Sequence, residues 1–161
     1  MSIVLIRVDD RLIHGQVAVG WTRFVGGTHI VVADDEVAKD NTQIMLLKMA
    51  TPVGVKSTVL SVSEAARQLA GGKFAGDKVI VIVRGPQALL GLMEGGVPLG
   101  KVNVGNVRMQ EGRRRLTKEV AASPEELQAW KKLDEAGVEL EALWLPGGQA
   151  TNLNEVIRVF E

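Results

Sequence analysis

Lys78-Val79-Ile80-Val81-Ile82-Val83 is apolar and mostly β-branched, with no polar residue after its first position. A strand with one wet face alternates apolar and polar side chains. An unbroken run fits a strand covered on both faces, as in a parallel sheet. Outward from this run, further strand-like segments recur at residues 3–8, 29–33, 57–60, 101–104 and 139–145. The gaps between them hold helices with readable ends. One is expected over residues 17–24, stopped by Gly26-Gly27. A second, over 42–50, follows the cap residues Asp40-Asn41 and stops before Pro52. A third, over 63–69, precedes Gly71-Gly72. Pro86 suits the first position of a helix running to Glu94, ended by Gly95-Gly96. Ser123 and Glu126 have capping-box spacing and open a helix ending at Gly137; Asn152 and Glu155 repeat that spacing before a C-terminal helix. Residues 116–120 read as a short extra strand.

Strand and helix alternating in this way predict one α/β domain over residues 1–161. Its core is a single open, mainly parallel sheet with helices on both faces.

Composition narrows the function. Nineteen Lys and Arg balance nineteen Asp and Glu, which removes the electrostatic case for nucleic acid or an anionic membrane as a bulk partner. There is no cysteine, so disulfides, thiol catalysis and thiolate metal sites are excluded. Tyrosine is absent and aromatics are only 4%, against base stacking. No run approaches the roughly 20 apolar residues that span a bilayer, and the N-terminus lacks signal-peptide features. A soluble, cytoplasmic protein is expected.

In open α/β sheets, ligands sit beyond the carboxyl ends of the strands. The richest loop there is Asp9-Asp10-Arg11-Leu12-Ile13-His14-Gly15-Gln16. Neutral imidazole is a good nucleophile at cytoplasmic pH. Arg11 carries a planar fork that matches phosphate oxygens. Gly15 permits close backbone approach, and the following helix offers free N–H groups at Gly15, Gln16 and Val17 to an anion. Asp9 or Asp10 is positioned to orient the imidazole. Together these suit a phosphohistidine, although a histidine in such a loop also serves as an ordinary hydrogen-bonded surface residue. A non-catalytic module binding a nucleotide or small anion is the rival, but neither the P-loop nor the dinucleotide glycine fingerprint is present.

The remaining features carry less chemistry. His29 opens the second strand and reads as structural. Asp34-Asp35-Glu36 reads as a cap run rather than a Mg²⁺ site. Arg113-Arg114-Arg115 is either a solvated turn or a docking patch for an acidic partner. The tryptophans read as packing residues, with Trp21 also a candidate to face a docking protein.

The eleven-residue stretch from Arg7 to Val17, RVDDRLIHGQV, resembles the phosphorylation-site motif of the IIB components of the mannose/sorbose family of the bacterial phosphoenolpyruvate-dependent sugar phosphotransferase system. Asp35-Glu36-Val37-Ala38, Glu94-Gly95-Gly96-Val97, Val102-Asn103-Val104-Gly105, Lys132-Leu133 and Gly137-Val138-Glu139-Leu140 extend the resemblance over nearly the whole chain. The length is that of a free-standing IIB domain. The resemblance implies a carrier that accepts a phosphoryl group from a IIA phosphocarrier and passes it to a sugar at the membrane IIC/IID permease subunits. That role places it in the cytoplasm, peripherally associated with the permease. It implies His14 as the phosphorylated residue, at Nδ1, and Arg11 as its neighbour in the site. It implies no metal or other cofactor, and an antiparallel element near the C-terminus. At Val83-Arg84-Gly85-Pro86 the chain departs from relatives, which often place a hydroxyl or amide side chain before the proline; Arg84 is either a further phosphate contact or a simple substitution. Leu145-Pro146-Gly147-Gly148 also departs from the family pattern.

Overall fold

The computed structural model describes residues 3–160. Its chain order is β1 (Ile3–Asp9), α1 (Gly15–Val25), β2 (His29–Ala33), a 3₁₀ turn (Val37–Lys39), α2 (Asn41–Ala50), β3 (Lys56–Leu60), α3 (Val62–Ala70), β4 (Val79–Val83), α4 (Pro86–Glu94) and β5 (Lys101–Asn106). There follow β6 (Arg114–Arg115), β7 (Ala121–Ala122), α5 (Pro124–Glu135), β8 (Glu139–Ala142), β9 (Thr151–Asn152) and α6 (Leu153–Val159). The main sheet runs β3-β2-β4-β1-β5-β8-β9. Every neighbouring pair from β3 to β8 is parallel, and β9 closes the edge antiparallel to β8.

The continuous apolar run is explained by its place. All five residues of β4 are buried, between β2 and β1, and its side chains alternate between two separate cores. Val79, Val81 and Val83 join Ile6, Val8 and the buried faces of α3 to α6. Ile80 and Ile82 point the other way, into a smaller core with Ile30, Val32, Ala18 of α1 and Leu47 of α2. Helix α1 therefore leaves β1 toward one face, while α4 leaves the adjacent β4 toward the other. Such a divergence opens a crevice at the strands' carboxyl ends.

Local signals fixed the helix ends. Asp40 caps α2, Ser61 caps α3, Asn152 caps α6, and Ser123 with Glu126 forms the full capping box of α5. Gly26 ends α1 in the left-handed conformation, at φ +68. Three expectations need correcting. Helix α1 begins at Gly15 rather than residue 17, because Ala18 N already bonds back to His14 O and closes the first turn there. Residues 116–120 form the turn of a hairpin whose paired strands, β6 and β7, lie on either side; Leu116 and Thr117 both donate their N–H to Val120 O. Strand β8 stops at Ala142, not Leu145, because beyond it the carbonyls of Leu143 and Trp144 accept from side chains rather than from a neighbouring strand.

Candidate functional site

Alternation along β1 sends Ile6 and Val8 to the larger core and turns Arg7 and Asp9 to the α1 face. Both are buried, and burial of a charge is tolerated only with partners. Arg7 Nη2 donates to Asp9 Oδ2 at 3.2 Å and to Trp144 O at 3.1 Å; Nη1 donates to Leu143 O at 3.2 Å and to Asn103 Oδ1. The guanidinium also lies 5.3 Å from the Trp21 ring centroid. Desolvation pulls the Arg7 pKa below the usual arginine value, and the Asp9 charge opposes that shift.

Asp9 shapes the loop that follows. Its Oδ1 accepts from Arg11 N at 3.0 Å and its backbone carbonyl accepts from Leu12 N at 2.9 Å. Leu12 is forced to φ +61, a region branched side chains avoid, yet its side chain is buried in the smaller core. The turn brings Arg11 back over His14, and Arg11 Nη1 lies 3.2 Å from His14 Nε2. The Arg11 guanidinium stacks on Trp144, 4.5 Å from the ring centroid. Its Nη2 has no hydrogen-bond partner among the described residues, and its Nε is 3.6 Å from Asp9 Oδ1, beyond hydrogen-bond reach.

His14 is exposed and is the N-cap residue of α1, but its side chain caps nothing. Gly15, at φ +40, and the exposed Gln16 follow, and Ala18 N is the first amide bonded back to His14 O. The amides of Gly15, Gln16 and Val17 thus lie in the first turn, where no intrahelical acceptor exists.

Neither aspartate meets the imidazole, which corrects the expectation for Asp10. Its carboxylate accepts from Asn106 Nδ2 at 3.0 Å, Arg108 N at 2.8 Å and Arg108 Nε at 3.1 Å. Asp10 pins the loop to the end of β5. Arg84 is likewise turned elsewhere. Its Nε lies 3.5 Å from Asp34 Oδ2 and its Nη1 4.0 Å from Glu36 Oε2, on the wall of a groove of about 490 Å³ that Arg113 and Glu126 also line.

The other features resolve locally. Asp34 and Asp35 cap backbone amides, of Val37 and Val62. His29 bridges Asp77 and Thr58 beneath Phe74. The three arginines are not one patch: Arg113 forms a two-point ion pair with Glu126, Arg114 lies over Phe160, and Arg115 donates to Lys118 O. Trp21 does not face outward; it is buried, with Nε1 donating to Trp144 O at 2.9 Å.

Sequence reasoning missed Arg7, Asn103 and Trp144 as parts of the site. The signal for Arg7 was present: a lone charge inside an apolar strand requires a buried partner, and Asn103 and Gly105 share its face on the neighbouring β5.

Residues 3–160 match the family of the PTS system sorbose subfamily IIB component. The chain is 33% identical over 158 residues to the PTS system fructose-specific EIIB component of Bacillus subtilis, covering 98% of this chain and 97% of that one. It is 39% identical over 141 residues to the PTS system mannose-specific EIIAB component of Escherichia coli K12, covering 88% of this chain but 44% of that longer protein. The crystal structure of the IIBSor domain of the sorbose permease from Klebsiella pneumoniae superposes with a TM-score of 0.92 at 31% identity, covering 98% of this chain and 97% of that one.

Proposed function

Since the chain belongs to the sorbose subfamily of IIB components of the sugar phosphotransferase system, a family of phosphotransferases in sugar uptake, we propose that His14 is the residue that carries the phosphoryl group. The observation that supports this reading is the contact between the exposed imidazole and Arg11, whose Nη2 is buried and has no hydrogen-bond partner among the described residues.

His14 attacks the phosphorus of a phosphohistidine on a IIA partner. The donor's N–P bond breaks as the new one forms, and the donor imidazole keeps its freed lone pair. In the second half, a sugar hydroxyl bound at membrane IIC/IID subunits attacks the same phosphorus. The O–P bond forms, the His14 N–P bond breaks, and the hydroxyl proton ends on the released imidazole. Transfer of this kind asks the protein for in-line positioning and charge stabilisation, which Arg11 and the first-turn amides of α1 supply.

Arginine donates and never accepts, so its contact with Nε2 corresponds to the tautomer protonated at Nδ1. Attack through Nδ1, as in the family, needs that proton on Nε2 instead. The exchange releases Arg11 from the ring to meet the phosphoryl oxygens. Arg84 is given no role in this reading, since its guanidinium lies toward Asp34 and Glu36. The protein works on the cytoplasmic side, docking on the permease from outside the bilayer; no helix among the described residues is long and apolar enough to cross a membrane.

The test is incubation with the upstream phosphotransferase proteins and phosphoenolpyruvate, followed by mass measurement. Wild type should gain one acid-labile phosphoryl group, and His14→Ala none. No adduct on wild type, or an undiminished one in His14→Ala, overturns the reading.

A further inference from the structure

We propose that Trp144 is a positioning residue for phosphoryl transfer, holding the Arg11 guanidinium flat over His14 while leaving its donors free. This rests on His14 being the phosphorylated residue.

Arginine has one of the most mobile side chains, and a fork that must meet a transferring phosphoryl group is useful only when already aimed. In-plane tethers do little for Arg11. Its Nε stands outside hydrogen-bond distance of Asp9, its Nη2 has no partner among the described residues, and the Nη1 contact is with the reacting ring itself. What remains is the Trp144 ring, whose centroid lies 4.5 Å from Arg11 Cζ. A carboxylate at this place would take two N–H donors and cancel the charge. An aromatic plate does neither. It attracts the cation through its π face and leaves the buried N–H groups of Nε and Nη2 unpaired, to be met by phosphoryl oxygens once the guanidinium moves off the imidazole. Stacking is also permissive within the plane, so the guanidinium slides from Nε2 toward phosphoryl oxygens without losing the contact.

The plate is itself anchored from below. The Trp144 carbonyl accepts from Arg7 Nη2 at 3.1 Å and Trp21 Nε1 at 2.9 Å; the preceding carbonyl, of Leu143, accepts from Arg7 Nη1 at 3.2 Å and Asn103 Nδ2 at 3.1 Å. Two adjacent carbonyls are thus held by three buried side chains. They set the ring's position through the backbone, while the half-buried ring keeps a face for Arg11.

The experiment compares initial rates of His14 phosphorylation by the upstream phosphotransferase proteins and phosphoenolpyruvate in Trp144→Leu and Trp144→Phe, each alone and with Arg11→Ala. Trp144→Leu should slow the step about three- to thirtyfold with little change in melting midpoint. Trp144→Phe, which keeps a π face, should recover most of the rate. In the Arg11→Ala background Trp144→Leu should cost nothing further, because the ring acts through the arginine. Trp144→Met serves the same comparison if the leucine variant does not fold. An unchanged rate in the non-aromatic variant, an equal loss in Leu and Phe, or a loss that persists without Arg11 overturns the proposal. The last outcome would make Trp144 a partner contact. Failure of wild type to become phosphorylated sinks the His14 reading instead.

Discussion

The guanidinium of Arg7, on β1, occupies the space in which a side chain on Gly105 of β5 would stand. A Cβ there would meet Arg7 Nη1, Cζ and Nη2 together, the end of a side chain that is fixed by its hydrogen bonds to Asp9, Asn103 and the carbonyls of Leu143 and Trp144. Gly105→Ala therefore forces the arginine out of its hydrogen bonds with Asp9, Asn103 and the 143–144 carbonyls. The expected cost is about 2–4 kcal/mol, read as a lowered urea midpoint, because a buried charge network is broken by one methyl group. Gly112→Ala serves as the contrast. Nothing lies near its added Cβ, so only its φ of +87 is strained, and a smaller loss of about 1 kcal/mol is expected.

Arg11→Ala should leave the fold intact and slow phosphorylation of His14. The side chain is partly exposed and supports no core packing. Loss of one charge-stabilising donor in a transfer site typically costs about a hundredfold or more. Circular dichroism of the variant should match wild type while its single-turnover rate falls; an unaltered rate would remove Arg11 from the mechanism.

Asp10→Asn separates loop anchoring from imidazole orientation. The carboxylate holds Arg108 and Asn106 and does not touch His14. Stability should drop by about 1–2 kcal/mol through weakened hydrogen bonds. Phosphorylation should slow by less than tenfold. A loss as deep as that of Arg11→Ala would restore the aspartate as an orienting group.

Acidification should destabilise the protein in a specific window. Hydrogen bonds from Arg67 and Gln68 hold the Glu64 carboxyl down to about 2; those from Arg158 and Asn154 lower Asp134; the Gln43 backbone amide, with the Gln43 side chain, lowers Asp40. Each group binds its proton less readily folded than unfolded. The stability it lends is complete above the ordinary carboxylate range, near pH 4, and drains away as pH falls through the folded value. The urea midpoint should decline from about pH 4.5 downward, and Glu64→Gln or Asp134→Asn should each flatten the decline. Added salt should shrink the Glu64 share, since that pair is exposed.

Much of this was legible in the residues. The apolar run of β4 declared a sheet covered on both sides, and Ser123 with Glu126 marked the start of α5, because both signals are local. Arg11, His14 and Gly15 were readable as a site because a cation, an imidazole and a glycine at a helix start fall within five residues of one loop. What escaped was non-local. Trp144 lies 133 positions after Arg11, and nothing in its neighbourhood announces a stacked cation. Asp10 was assigned to the imidazole on proximity in sequence, yet Asn106 and Arg108 compete for it across the sheet. Arg84 was read as a phosphate contact from its loop position, and its loose ion pairs with Asp34 and Glu36 lay outside that local view. The end of β8 was misjudged because Leu143 looks like strand, while its carbonyl is claimed by Arg7 from two strands away.

The union of Arg7 with the carbonyls of Leu143 and Trp144 joins the first strand to the last sixth of the chain. A polypeptide still threaded through the ribosome displays His14 and Arg11 long before anything exists to steady them. Only when synthesis has passed Trp144 does the buried Arg7 guanidinium gain its two carbonyl acceptors and Arg11 its aromatic neighbour.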